Sequence, residues 1–595
     1  MPFITGTITT SSTGNTTRGC IKAERDALLA FKAELMYHKA HPISSWGNYT
    51  DIDCCQWAGV HCDNNSGHIV RLDPRLWRPP PNNFDDYNYY VWCDDESGLS
   101  GNISESLLGL KHLTYLDLSF NCFLNISIPK FLSSLENLVH LDLSYSGFTG
   151  VIPYELGNLT KLSYLNLANY DNKVDDAEWL SGLSSLRYFM NIIPESLPYL
   201  NFTSLSSVDI RFNKFDNTSI PEWLFRIPNL RHLTLTDCGF TGTIPSSIRN
   251  ATSLQMLSLA LNKGISGDIP RGFGDLCNLQ ELYLSGTFVG KSLEDFKDAF
   301  SGCIRRNLNV LTFEFSWLQG PLPDCYNFNY HSLITEAHLA NLTGLKYLIL
   351  HRTNLVLNIS TDWIPGFQAF GIYLSYCHIG PKFPVWLANQ VNLASLEISN
   401  SGIKDSMPNW FWNITGTMIS LDLSNNEIKG RMPQRFKFQA EEDYAEILLS
   451  SNHFEGSIPY FSSNVYALDL SNNSFSGIIP SDLGNFVGVR PRLTHLSLSS
   501  NNLTGGIPNS LCNFMELIFL ELSNNHLEGV IPSCWNNLTS LQYLILANNS
   551  LSQSEITTNT SQHQGGTPEV NDLQYRDSLL LKVQIQQGED EQQDN

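Results

Sequence analysis

The stretches LTYLDLSFN (113–121), LVHLDLSYS (138–146), LQMLSLALN (254–262), LTHLSLSSN (493–501), LIFLELSNN (517–525) and LQYLILANN (541–549) share one template, Leu-x-x-Leu-x-Leu-x-x-Asn. Its Leu-x-Leu centre alternates apolar and polar, the pattern of a short strand with one buried face. Further copies begin near Leu162, Leu205, Leu230, Leu279, Leu308, Leu345, Leu393, Ser420 and Val465, at a step of about 24 residues. Such a period, repeated roughly eighteen times, describes one supersecondary unit stacked on copies of itself. The expected fold class is therefore an α/β solenoid. Its strands join in a parallel sheet on the concave face, and the leucines point into each coil.

The Asn position (Asn121, Asn213, Asn262, Asn426, Asn452, Asn473, Asn501, Asn525, Asn549) falls where the chain turns inward. An amide there can satisfy backbone groups of two coils at once, giving a ladder along the stack. Ser146, Cys238, Thr287, Ser316, Thr353, Cys377 and Ser401 replace it elsewhere; all are small and able to hydrogen-bond. Cys238 and Cys377 are thus expected to be ladder thiols rather than nucleophiles. After the strand comes Gly-x-Ile-Pro, as GVIP (150–153), GTIP (242–245), GSIP (456–459) and GGIP (505–508). Glycine permits the turn and proline fixes an extended backbone on the far side of the coil.

The chain has 595 residues and a formal net charge of -22, with only 16% charged residues. So acidic a surface repels phosphate backbones, and no nucleic-acid partner is expected. Sequons without proline occur at Asn15, Asn48, Asn64, Asn102, Asn125, Asn158, Asn201, Asn217, Asn250, Asn341, Asn358, Asn413, Asn472, Asn502, Asn537, Asn548 and Asn559. Their spread favours a secreted, glycosylated surface, and thirteen cysteines suit an oxidising compartment. No nucleophile elbow, phosphate-binding glycine loop or zinc-protease motif occurs, so no enzyme, cofactor or metal is expected. No signal-peptide pattern opens the chain, and no window is apolar enough for a membrane helix.

The extended template Leu-x-x-Leu-x-Leu-x-x-Asn-x-Leu/Phe-x-Gly-x-Ile-Pro resembles the plant-specific class of leucine-rich repeats. CIKAERDALLAFKAEL (20–35), followed by SSW and CCQWAGVHC, resembles the N-terminal cap of plant leucine-rich-repeat receptors. LSGNISESLLGLKHLTYLDLS (99–119), AEWLSGLSSLRY (177–188), LNFTSL (200–205) and FDDYNYYVWCDD (84–95) are similar to immune-type receptor-like proteins, close to the fungal-xylanase receptors. The resemblance implies a right-handed superhelix and a kinase-free ectodomain at the extracellular face of the plasma membrane. It would bind a microbial or plant extracellular protein or peptide and act in plant defence through a receptor-kinase adaptor and a co-receptor. It also implies the cap disulfides Cys20–Cys54 and Cys55–Cys62, with Trp46 and Trp57 covering the end of the stack.

Expected domains are a disordered segment 1–19, a cap 20–66, a solenoid 67–555, and the start of a truncated island with an acidic disordered end, 556–595. The repeat phase contracts around 189–200 and lengthens near 313–345. Both ends of the family's usual protein are expected to lie outside this chain, which puts signalling by it in doubt. A soluble inhibitor of cell-wall-degrading hydrolases and a truncated, non-signalling decoy are the alternatives.

Side chains flanking each Leu-x-Leu project from the concave face and line up between coils. The ligand-contact candidates are Tyr115, Asp117, His140, Asp142, Tyr164, Arg231, His232, Glu281, Tyr283, Lys346, Tyr347, Glu397, His495, Phe519, Glu521 and Tyr543. His140, His232 and His495 read as ordinary surface or contact residues rather than acidity sensors. Cys277 with Cys303 and Cys512 with Cys534 precede successive strands at matching phase, which makes each pair a candidate disulfide. Cys93, Cys122 and Cys325 have no assigned partner.

Overall fold

The computed structural model describes residues 19–47, 53–75, 98–168, 172–173, 178–190, 202–213, 215, 218–266, 270–287, 302–313, 332–353, 355–435, 444–483, 491–552 and 582–584. The chain divides into two compact units, Met1–Asn262 and Lys263–Asn595. Both are leucine-rich-repeat solenoid segments.

In the first unit the helix Lys22–Ala33 packs its buried Leu28 and Phe31 against the stack, while Val60–Cys62 pairs antiparallel with Ile69–Leu72. Strands Tyr115–Asp117, His140–Asp142, Tyr164–Asn166, Tyr188–Met190, Ser207–Asp209, His232–Thr234 and Met256–Ser258 then continue the sheet in parallel. In the second unit a parallel sheet runs from Glu281–Tyr283 through Val310–Thr312, Tyr347–Ile349, Gly371–Tyr373, Ser395–Glu397, Ser420–Asp422, Ala445–Leu448, Val465–Asp469, His495–Ser497 and Phe519–Glu521 to Tyr543–Ile545. The central apolar residue of most strands is buried, as at Leu116, Leu141, Leu257, Leu496 and Leu520.

The Gly-x-Ile-Pro segments build a second layer. Lys429–Arg431, His453–Gly456, Ser474–Ile478, Asn502–Gly505, His526–Val530 and Ser550–Ser552 pair in parallel. Gly456 and Gly505 take φ of 101° and 75° there, a backbone that a Cβ would oppose. Proline then opens a five-residue 3-10 turn whose leucine is buried, as with Pro153 before Tyr154–Asn158 and Pro508 before Asn509–Asn513.

The ladder amides bridge coils. Asn262 donates to the carbonyls of Leu235 (2.6 Å) and Leu259 (2.8 Å) and accepts from the N–H groups of Cys238 (3.0 Å) and Phe240 (3.1 Å). Asn426 does the same with Ile398, Leu423, Ser401 and Ile403. The thiols of Cys238 and Cys377 donate to Ile210 and Leu350 carbonyls at 3.0 Å. Burial pushes both up to about 12.

Disulfides join Cys20 to Cys54, Cys55 to Cys62, Cys277 to Cys303 and Cys512 to Cys534. Cys122 is disulfide-bonded too, although the sequence suggested no partner for it. Trp46 and Trp57, each 2% exposed, stack at 5.5 Å under this cap. Residues 582–584, where the expected start of the island meets the acidic end, form a strand beside Tyr543–Ile545, whose open backbone edge supplies its hydrogen bonds. The contraction at 191–200 and most of the long coil at 314–331 lie outside the described residues, as do Cys93, Cys325 and the proposed island apart from 582–584.

Candidate ligand-binding face

Side chains beside the buried leucines form columns across each sheet, because parallel strands in register place equivalent positions side by side. In the first unit one column is an unbroken ring stack. The Arg71 guanidinium lies 3.8 Å from the Tyr115 ring, His140 sits 3.9 Å from Tyr115 and 4.0 Å from Tyr164, and Tyr188 follows at 6.1 Å. Stacked this way, the rings cover one another and offer mainly their edges.

Two residues further along lies an acidic column. Asp73 accepts from Arg71 and, through both oxygens, from Arg75, which also pairs with Asp117 at 3.0 Å. Asp117 and Asp142 are register partners, 3% and 8% exposed. Each fastens the serine two residues on, Ser119 and Ser144, by its N–H and hydroxyl. The Tyr115 and Tyr164 hydroxyls donate to Asp117 and Asp142, both at 3.2 Å. Burial, then the neighbouring Asp142 carboxylate, raise Asp117 to about 6. Burial, with Arg71 and Arg75 adding to it, holds His140 down at about 4.

The expectation that these three project freely is therefore corrected. Asp117 and Asp142 serve their own turns, and His140 is enclosed by two tyrosines. A ligand atom of each lies within 4.8 Å of the others, a set able to hold a cation. Arg231 and His232 lie further along the same unit, Arg231 exposed and His232 in register with Ser207 and Met256.

In the second unit the candidates fall into separate groups. Tyr283 donates to Glu281 at 2.9 Å, and burial followed by that carboxylate pushes its hydroxyl up to about 12. Lys346 reaches over Phe370 at 5.8 Å, Tyr347 is exposed, and Glu397 faces His351 at 3.6 Å. His495, Phe519 and Tyr543 form a looser row with centroids 6.2 and 6.1 Å apart. Beside it opens a pocket of about 290 Å³, lined by Glu446, Leu448, Tyr466, Ala467, Leu468, Asp469, His495, Ser497 and Phe519. Glu521 flanks it and accepts from Ser497 at 3.1 Å.

Sequence reasoning missed Arg71, Arg75, Glu446, Tyr466 and Asp469. The last three occupy flanking positions of EILLSSN (446–452) and VYALDLSNN (465–473), copies of the template whose outward-facing positions were not carried into the contact candidates. Among the described sequons, Asn64, Asn102, Asn125, Asn158, Asn250, Asn341, Asn358, Asn413, Asn472, Asn502 and Asn548 are exposed. Asn48, Asn201 and Asn217 lie outside the described residues, and nothing is described of the Asn537 side chain. Among the described residues no helix is long and apolar enough to cross a membrane.

A family model for a leucine-rich-repeat N-terminal domain matches residues 21–63. Leucine-rich-repeat models match 228–287 and 112–135, 137–159, 464–486, 492–514 and 516–538. Receptor-like protein EIX1 of Solanum lycopersicum is 30% identical over 630 residues, covering 78% of this chain and 55% of that protein. Receptor-like protein EIX2 of the same plant is 30% identical, with 79% and 58% covered. The chain thus spans about half the length of the curated relatives it matches.

Among solved structures, the ectodomain of the Arabidopsis thaliana membrane receptor kinase GASSHO1/SCHENGEN3, in complex with CASPARIAN STRIP INTEGRITY FACTOR 2, aligns with a TM-score of 0.51 at 25% identity. It covers 89% of this chain and 62% of that one. The Arabidopsis HAESA ectodomain shares the fold at TM-score 0.52 and 24% identity, with 89% and 86% covered. With its cap, its repeat and these relatives, the chain belongs to the leucine-rich-repeat receptor-like protein family.

Proposed function

We propose that this chain is the ligand-binding ectodomain of a plant cell-surface receptor-like protein in innate immunity, which recognises a microbial or apoplastic protein or peptide on its strand faces. The observation that carries this reading is the pocket between Tyr466, His495 and Phe519, set among the carboxylates Glu446 and Asp469. Apolar walls with a few convergent polar groups make a recognition site. At about 290 Å³ it suits one or two side chains of a larger partner rather than a metabolite. A protein of similar fold, the GASSHO1/SCHENGEN3 ectodomain, is seen in complex with a factor, which supports binding as the role of such an ectodomain. The ligand would act by occupying the ectodomain, and signalling would pass to an adaptor kinase and a co-receptor.

Capture of secreted fungal and bacterial proteins by the purified chain tests the proposal. A saturable partner is expected, and its affinity should fall about tenfold or more when Phe519→Ala or Tyr466→Ala removes an aromatic wall. A broad screen without any saturable partner would count against it.

A further inference from the structure

On the strand face of the second unit, Glu397, Asp422, Leu448, Asp469, Ser497 and Glu521 stand side by side on six consecutive strands. From Asp422 onward an acid recurs on every second strand. The adjoining column adds Glu446 and then runs through Ala467, His495 and Phe519 to the exposed Tyr543. Nearby ion pairs join His351 to Glu397, Lys382 to Asp405, Lys404 to Glu427 and Arg431 to Glu455. Among the described residues none reaches Asp422, Glu446, Asp469 or Glu521.

The hydrogen bonds of these carboxylates orient them without neutralising them. Asp422 accepts from the Ser424 N–H and hydroxyl, Asp469 from the Ser471 N–H, and Glu521 from the hydroxyls of Ser497 and Ser523. Four half-buried like charges on one face, with no ion-pair partner among the described residues, create a negative potential that a cationic partner would relieve.

The spacing narrows the partner further. Strands about 4.8 Å apart put acids on alternate strands about 9.6 Å apart, close to the ~9.3 Å turn of a polyproline II helix, whose three residues per turn at about 3.1 Å each bring every third side chain back to the same face. The pocket lies beside the Asp469 strand, between the Asp422 and Glu521 ends of this row. Phe519 and Tyr543 add ring surfaces on which a guanidinium or ammonium group can rest.

We propose that this face binds a cationic peptide segment in polyproline II conformation whose basic side chains recur at every third residue, with one apolar side chain seated in the pocket beside Tyr466 and Phe519. This rests on the ligand-binding reading above and specifies its chemistry. The segment crosses the strands along the acidic column, with successive basic groups at Asp422, Asp469 and Glu521.

Fluorescence anisotropy of the full secreted chain with three labelled synthetic peptides tests this. One carries lysines at i, i+3 and i+6 around a central phenylalanine, one has the same residues with the lysines adjacent, and one has glutamates in place of lysines. The spaced peptide should bind saturably and about tenfold more tightly than the adjacent one, with affinity falling as salt rises. Asp469→Asn, which keeps the acceptor for Ser471, and the separate Glu521→Gln should each weaken it about tenfold. Secretion and circular dichroism check that both variants fold.

Absence of saturable binding by the spaced peptide, equal binding of the first two peptides, or affinity unchanged in both variants would overturn the inference. A secreted protein partner whose binding is indifferent to both substitutions would overturn it as well, while leaving the receptor reading intact.

Discussion

Immediately before each ladder position the backbone is left-handed. Phe120, Tyr145, Leu261, Tyr376, Asn425 and Asn524 have φ of 52°, 48°, 61°, 61°, 54° and 54°. Asn tolerates this region, whereas a branched or bulky side chain is strained in it by about 1–2 kcal/mol. Leu261 is 39% exposed, so little packing offsets that strain. Leu261→Asn should stabilise the first unit by about 1 kcal/mol, read from a chemical denaturation midpoint. The ladder thiols allow a second test. Buried and raised to about 12, Cys238 and Cys377 should resist alkylation in native protein at neutral pH and react once it is unfolded, as mass spectrometry would report.

At the scale of an element, the turn is held by its amide and the stack by its cap. Asn262→Ala strands two N–H groups and two carbonyls, and should cost about 3 kcal/mol or more, measured by denaturation. In the cap, Glu24 accepts from the Ile69 N–H and pairs with His68, both at 2.7 Å, while Lys32 donates to the Trp46 carbonyl at 2.6 Å. Removing a disulfide there, by Cys55→Ser, should cost about 2–5 kcal/mol and reduce secretion. Ligand preference should not change, because the contact columns lie on the repeat strands; an altered preference in folded protein would refute this.

For the first unit as a whole, acidity should be destabilising. His41 is 2% exposed and accepts a hydrogen bond from the Ile43 N–H, and burial holds it at about 4. His140 is held at about 4 as well. Each imidazole takes up its proton near 6.5 when unfolded but only near 4 when folded, so stability falls as pH drops from 6.5 to 4. Asp117 acts in the opposite sense. Raised to about 6 from 3.8, it binds a proton in the folded state first and regains stability over pH 6 to 4. Two histidines outweigh one aspartate, so the urea midpoint should decline from pH 7 to 5, with His41 alone accounting for on the order of 1 kcal/mol. His140→Phe should flatten the decline, since phenylalanine keeps the stack between Tyr115 and Tyr164 without a titrating nitrogen.

The sequence by itself determined the strand, the turn and the family. Leu-x-x-Leu-x-Leu-x-x-Asn is a local pattern repeated by translation, so the placement of Leu116, Asn262 and Gly505 follows from short-range sterics and from the step between copies. Glu446, Tyr466 and Asp469 were legible in principle, as flanking positions of the copies that end at Asn452 and Asn473. Which flanking side chains remain free was not legible at all. His140 reads like His495, yet His140 is clamped between Tyr115 and Tyr164 while His495 is exposed at the rim of a pocket. Asp117 and Glu521 hold the same template position, but Asp117 is closed in by Arg75 and Ser119 and Glu521 by hydroxyls alone. Each difference is made by residues one coil away, some two dozen positions distant in the chain. Only the tertiary register sets them 5 Å apart across a parallel ladder, and there burial and charge are decided.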